Sequence, residues 1–259
     1  MAAVGNAGWA FWPPGVAHDL RVPQVTLNHY LDTAALRYPD KPALIFAGLA
    51  ITYAQLQAQV LALAAHLQQA LGVGHGDRVL LISQNCPQFV IGYFATLRLG
   101  AAVVPINPMS TLPEVAYFAQ DSGAEVALVA QELMSALLPL LRATQGPALR
   151  DIVVHRCDHH LSPEGLQSLP QAMREPPEPP QMPGLHGFEQ ALASPLKPKA
   201  VEVSPHDLAV LPYTSGTTGR PKGCCHTHHT ILASNIASQT WRSLNADRSE
   251  EHTSELQSH

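Results

Sequence analysis

The chain has 259 residues, 46% of them hydrophobic and 14% charged, with a formal net charge of −5. This length and apolar content suit a globular protein with a sizeable core and exclude a disordered chain, while the acidic balance excludes the basic footprint of a nucleic-acid binder. No apolar run approaches the roughly 20 residues that span a bilayer, and no basic-then-apolar leader opens the sequence. Cys86, Cys157, Cys224 and Cys225 form no CxxC pair or disulfide framework, so a reducing cytoplasm is the expected compartment.

Taken in order, residues 1–25 are rich in aromatics and prolines without periodicity and read as an N-terminal arm. Thr26 can cap a helix that places Leu27, Tyr30, Leu31, Ala34 and Ala35 on one face, stopped by Tyr38-Pro39. Ala43 to Phe46 and Ala50 to Thr52 read as a hairpin turning at Gly48. The longest helix, Tyr53 to Leu71, carries a stripe of Leu56, Val60, Leu63, Leu67 and Leu71, and Gly72, Gly74 and Gly76 end it.

An alternation of short apolar strands and helices follows. Arg78 to Ser83 is a strand, Pro87 to Leu99 a helix and Ala101 to Val104 a strand; Thr111 and Glu114 form a capping box opening a helix to Gln120. Glu125 to Ala130 is a strand, Glu132 to Ala143 a helix and Asp151 to His155 a strand. Nearly continuous apolar strands separated by helices predict an α/β protein with mainly parallel sheet layers flanked by helices. Between residues 156 and 205 the pattern dissolves into a Pro-rich excursion with one short helix, Phe188 to Leu192. His155, His159 and His160 are expected at a strand end and loop, in solvent.

The stretch Leu211 to Gly223, LPYTSGTTGRPKG, carries the chemistry. A buried strand from Leu208 to Tyr213 runs into Thr214, Ser215, Gly216, Thr217, Thr218 and Gly219, then Arg220, Pro221 and Lys222. Glycines let bare backbone approach a ligand, successive N–H groups can form an anion nest, and the hydroxyls and the lysine add donors and a point charge suited to phosphate. Clusters of Gly, Ser and Thr more often mark ordinary surface loops. Nor is this a Walker A loop, because Gly223 stands after Lys222 where that motif needs Ser or Thr.

The ordered string from Thr214 to Lys222 resembles the signature of the adenylate-forming superfamily, which includes acid–CoA ligases, peptide-synthetase adenylation domains and luciferases. Ile51-Thr52-Tyr53-Ala54-Gln55-Leu56 and Leu97-Arg98-Leu99-Gly100-Ala101-Ala102-Val103-Val104-Pro105-Ile106-Asn107-Pro108 resemble two further motifs in family order. The second of these and Arg37-Tyr38-Pro39-Asp40-Lys41-Pro42-Ala43 lean toward acid–CoA ligases of the fatty-acid type. The resemblance implies an incomplete N-terminal, ATP-binding domain over residues 26–247. It implies a phosphate grip by Thr214, Ser215, Gly216, Thr217, Thr218, Gly219 and Lys222, with ATP, Mg²⁺ and CoA as cofactor and co-substrates. The implied substrate is a small-molecule carboxylic acid of the fatty-acid class, with no nucleic acid as partner and peripheral membrane association left open. The family's ribose-binding aspartate and catalytic lysine belong to motifs beyond Lys222, so no catalytic residue and no metal ligand is expected here, and the chain reads as an inactive N-terminal fragment.

Two segments invite other readings. Cys224-Cys225-His226-Thr227-His228-His229 concentrates thiols and imidazoles, but their adjacency is unlike metal-site spacing, and Cys224 is expected as a small buried hydrophobe. Residues 248–259, RSEEHTSELQSH, differ in character from the rest and resemble the translation of a sequencing adapter, so a non-native tail is expected; an acidic helix capped by Ser249 is the alternative. The competing functions are another adenylate-former (an acyl-AMP ligase or a peptide-synthetase adenylation domain), a non-catalytic nucleotide-binding fragment and, last, a cysteine–histidine metal protein.

Overall fold

The computed structural model describes residues 16, 19–141, 143, 148–214 and 219–242. Contacts group Val25–His228 into one unit and residues 1–24 with 229–259 into a second. In the larger unit, α1 (Leu27–Arg37) leads to a hairpin of β1 (Pro42–Phe46) and β2 (Leu49–Thr52), then to α2 (Tyr53–Gln69). The hairpin turns at Ala47 and Gly48, both with positive φ (47° and 82°), the conformation that suits a two-residue connection between twisted strands. β3 (Arg78–Ile82), α3 (Pro87–Arg98), β4 (Ala102–Ile106), α4 (Leu112–Ser122), β5 (Val126–Ala130), α5 (Gln131–Leu141) and β6 (Asp151–His155) continue the alternation.

The expected capping box at Thr111 forms, and Thr52 makes a second that was not read from sequence. The Thr52 N–H donates to Gln55 Oε1 at 2.9 Å and the Gln55 N–H to Thr52 Oγ1 at 3.2 Å. Glu114 Oε2 accepts from the Thr111 N–H at 2.7 Å and from its hydroxyl at 2.9 Å, bonds that hold the Glu114 carboxyl below its usual pKa.

The Pro-rich stretch is less empty than its pattern predicts. It contains α6 (Pro163–Gln167), α7 (Gln171–Arg174), β7 (Leu185–Gly187) and α8 (Phe188–Leu192). Of these only α8 is read from sequence, and β7 adds a strand parallel to β6, with Val153 opposite His186. The chain then forms β8 (Leu208–Val210), β9 (Tyr213–Thr214), β10 (Lys222–Gly223) and β11 (His226–Thr227) before α9 (His228–Arg242). The expected single strand to Tyr213 is therefore two: Pro212 has no N–H to give a ladder, and Tyr213–Thr214 leaves the main sheet.

That sheet has the order β11-β8-β4-β3-β5-β6-β7, parallel throughout except for β11, which pairs antiparallel with β8. Its central strands β3 to β6 are buried on both faces, as a parallel sheet requires. Side chains alternate across it. Leu80, Ile82, Val104, Ile106, Val129 and Val154 pack with Val115, Phe118, Met134 and Leu137 of α4 and α5. Leu81 and Leu128 face the other way, toward α3, where Gly92 makes their approach feasible: a Cβ there would sit 2.6 Å from Leu128 Cδ1. On that face α2 packs on α3 and α8. Arg98 of α3 forks onto Asp32 of α1, donating to its two carboxylate oxygens at 2.7 and 2.6 Å.

The smaller unit is described over residues 16, 19–24 and 229–242. Gln24 Nε2 lies 3.5 Å from His229 Nδ1, and Thr240 donates its hydroxyl back to the Ile236 carbonyl at 2.8 Å. Among the described residues, no helix is long and apolar enough to cross a membrane.

Candidate functional site

The loop singled out by sequence leaves the C-terminal end of β8, the edge of a parallel sheet where α/β proteins place ligands. β8 lies beside β4, with Val210 opposite Val103 and the Leu211 N–H donating to the Val103 carbonyl at 2.8 Å. Beyond Pro212 the chain forms the first arm of a small clamp. Thr214 is the register partner of Lys222, and Tyr213 of Gly223. The Cys224 N–H donates to the Pro212 carbonyl at 2.8 Å and closes the base.

Side chains of α4 pin this clamp. The Tyr213 ring lies against Phe118 with centroids 4.5 Å apart and edge-on to Tyr117 at 6.2 Å. Its hydroxyl donates to Asp121 Oδ2 at 2.7 Å; burial first, and then the bonded carboxylate, push the phenol pKa up. On the return arm, Tyr117 donates its hydroxyl to the Pro221 carbonyl at 2.8 Å, and the Arg220 guanidinium sits 5.6 Å from the Tyr117 ring centre. Tyr117 and Asp121 stand four residues apart, one helical turn, so one face of α4 holds both arms. Sequence reading missed both: the spacing was visible, but their partners lie 104 and 92 residues away.

Thr214, Gly219, Arg220 and Lys222 are all exposed. Ser215, Gly216, Thr217 and Thr218, the remaining predicted grip residues, lie outside the described residues. The described arms thus present a hydroxyl and an ammonium group from opposing strands, with a guanidinium beside them. A hydroxyl donor and two cations at one rim suit a polyphosphate, because each adds a donor to an anion's oxygens. An open groove of about 520 Å³ runs alongside, lined by Pro113, Glu114, Tyr117 and Arg220.

The cysteine–histidine segment does not gather into a metal site among the described residues. Cys225 and His226 are exposed, and Cys224 is half-buried where a buried position was expected, because it follows a two-residue strand at the sheet's rim. The convergent set of three His, Cys, Asp or Glu side chains found among the described residues lies elsewhere, at His159, His160 and Glu189. His160 is exposed as expected, but His159 is half-buried.

His155 corrects the expectation of a solvated side chain. It is 1% exposed at the end of β6, edge-on to Phe188 at 5.8 Å, and neither ring nitrogen has a hydrogen-bond partner among the described residues. Burial pushes its pKa down to about 3. The cause is local cover: β7, which sequence pattern did not find, and α8, which it did, close over the end of β6.

Residues 31–254 match the family described as AMP-binding enzyme. Over 240 residues the chain is 33% identical to a long-chain-fatty-acid–CoA ligase of Bacillus subtilis, covering 90% of this chain and 42% of that protein. An anthranilate CoA ligase crystallised with anthranoyl-AMP superposes with a TM-score of 0.65 at 27% identity, over 82% of this chain and 36% of the other. A fatty acyl CoA synthetase of Mycobacterium tuberculosis gives 0.64 at 26% identity, over 82% and 37%. The chain therefore spans about two fifths of the length of these relatives. With that match running through the sheet, the α4 pins and the clamp of β9 and β10, the chain belongs to the AMP-binding enzyme family.

Proposed function

We propose that this chain carries the ATP-phosphate grip of an AMP-forming acid–CoA ligase that acts on a fatty acid. The observation that carries the proposal is the clamp itself, in which Thr214 and Lys222 are exposed register partners at the ends of a glycine- and hydroxyl-rich loop. In this reading Thr214, Ser215, Gly216, Thr217, Thr218, Gly219 and Lys222 hold the β- and γ-phosphates. A carboxylate oxygen attacks the α-phosphorus, the bond to the β-phosphate oxygen breaks, and pyrophosphate leaves. The CoA thiol then attacks the acyl carbon and releases AMP.

Both reactants of the first step are anionic, so the grip's task is to neutralise the leaving pyrophosphate. Mg²⁺ fits this reading as an ion held by phosphate oxygens and water, because no convergent acidic set borders the clamp among the described residues. Residues 26–247 serve in this proposal as the ATP-binding portion. The identity to a long-chain ligase supports the fatty-acid assignment. The resemblance to an anthranilate CoA ligase favours an aromatic acid as the second reading.

The test is acid-dependent exchange of pyrophosphate into ATP by the whole gene product, run with fatty and aromatic acids and then with CoA. Fatty acids are expected to support exchange, and CoA to convert the adenylate to a thioester. Lys222→Ala should lower kcat/KM for ATP by about 10- to 100-fold, the equivalent of one charged hydrogen bond of roughly 1.5–3 kcal/mol. Exchange with aromatic acids alone would replace the substrate, and exchange unaffected by Lys222→Ala would remove the grip. ATP binding without any exchange would point to a non-catalytic nucleotide binder.

A further inference from the structure

We infer that His159, His160 and Glu189 form a site for a divalent transition-metal ion, at the rim of a cavity built by β6, β7 and α8. The site is separate from the clamp and shares no residue with it. One ligand atom from each of the three side chains can be chosen so that all lie within 4.8 Å of one another. In a four-coordinate site with bonds of about 2.0–2.2 Å, ligand atoms stand roughly 3.3–3.6 Å apart. The donors must therefore close by about an ångström, within reach of side chains that are exposed or half-exposed. Two imidazoles and one carboxylate are a donor set for zinc, cobalt or nickel, where Mg²⁺ and Ca²⁺ prefer oxygen throughout.

The backbone explains how adjacent histidines come to share a site. In an extended chain, consecutive side chains point to opposite faces. His160 instead has φ of +68°, in the left-handed region that non-glycine residues seldom occupy. The two rings stand 5.9 Å apart at 77°. Glu189 arrives from α8, and its Oε1 lies 3.0 Å from His159 Nδ1. An ion here would tie the segment after β6 to α8.

A second observation points to a ligand on the inner side. His159 and Glu189 both line a cavity of about 520 Å³, and the same cavity is lined by His155, Leu185 and Phe188. His155 is buried there with neither ring nitrogen bonded among the described residues, although buried polar atoms are ordinarily paired. Three protein ligands leave a position open toward that space, as in zinc sites that bind water or a small anion. The plainer account is a half-exposed His159–Glu189 ion pair, in which His160 plays no part.

Co²⁺ binding to the 259-residue chain, followed by equilibrium dialysis and visible absorption, separates the two accounts. One Co²⁺ per chain is expected, with d–d bands and none of the charge-transfer absorption of a thiolate ligand. His160→Ala and Glu189→Gln should each weaken binding at least about tenfold, with the metal-free melting temperature of Glu189→Gln unchanged. Cys225→Ser combined with His226→Asn should leave the affinity as it was. Co²⁺ bound equally tightly by His160→Ala and by Glu189→Gln would overturn the site, as would binding lost in the Cys225/His226 variant. If His160→Ala disturbs the fold, Glu189→Gln, on a different element, decides alone.

Discussion

The two sides of the seven-stranded sheet are held by different physics. Around β3, β5 and β6 the register runs without a break, from Val126 opposite Asp151 to Ala130 opposite His155, and nearly every side chain is buried. On the other side β4 and β8 are in register at Val103 and Val210, after which the chain turns off into the clamp. The first side buries carbon on both faces and needs little else. The second side continues in short two-residue pairings fixed by a few aromatic contacts and hydrogen bonds, with Thr214, Arg220 and Lys222 exposed. Continuous buried pairing and the exposed clamp thus lie on opposite sides of one sheet.

Leu80→Ala should break the continuous side and produce the largest effect. Leu80 is fully buried on β3 among Ile82, Val104, Ala127 and Val129. Removing its methyl groups leaves a cavity in a region flanked on both sides by paired strands, where collapse is restricted. A loss of about 2–5 kcal/mol in denaturant unfolding is expected. A loss under about 1 kcal/mol, the level of a single exposed hydrogen bond, would erase the contrast between the two sides.

Acid should act next, and on the same side. His155 is neutral in the folded state with its pKa pushed down to about 3, whereas unfolding returns it to about 6.5. The unfolded chain therefore binds the proton first, and the His155 contribution is complete above pH 6.5 and is lost as pH falls toward 3. Each pH unit in that window costs about 1.4 kcal/mol, or about 2 kcal/mol between pH 6.5 and 5. Burial also lowers the pKa of His66, helped by the charge of His186, and that of His228, so both add to the slope with the same sign. Unfolding curves across this range should show His155→Phe to be less acid-sensitive than the parent. Identical slopes would mean that His155 is hydrated in solution.

What was legible in sequence divides along the same line. The stripe of α2, the apolar strands β3 and β5 and the capping box at Thr111 and Glu114 depend on residues within a turn or two of one another, and pattern found them. β7 is three residues long, Leu185-His186-Gly187, and exists because β6 supplies an edge: the Ile152 N–H donates to the Gly184 carbonyl at 2.7 Å. α6 packs through Gly165 onto the Ala47 carbonyl, so close that a Cβ would collide with it. Neither contact leaves a local trace. At the candidate site the loop was readable because its residue types are unusual and consecutive, while Tyr117 and Asp121 sit in an ordinary-looking helix. His155 was misread because a polar residue ending a strand is commonly exposed, and no local pattern shows that β7 and α8 fold back over it.

The smallest expected effect tests the pinned side directly. Tyr213→Phe keeps the ring against Phe118 and removes the hydroxyl that donates to Asp121 at 2.7 Å. Because this bond is solvent-facing, its loss should cost about 0.5–1.5 kcal/mol globally, less than Leu80→Ala. The local consequence should exceed the global one. The Cys224 N–H, bonded to the Pro212 carbonyl at the base of the clamp, should exchange with solvent faster, while amides of β5 keep their protection. Local opening of this kind is read by native-state hydrogen exchange. Equal acceleration at Cys224 and throughout β5 would show that the clamp opens only with the whole sheet, and the two sides would then be one cooperative unit.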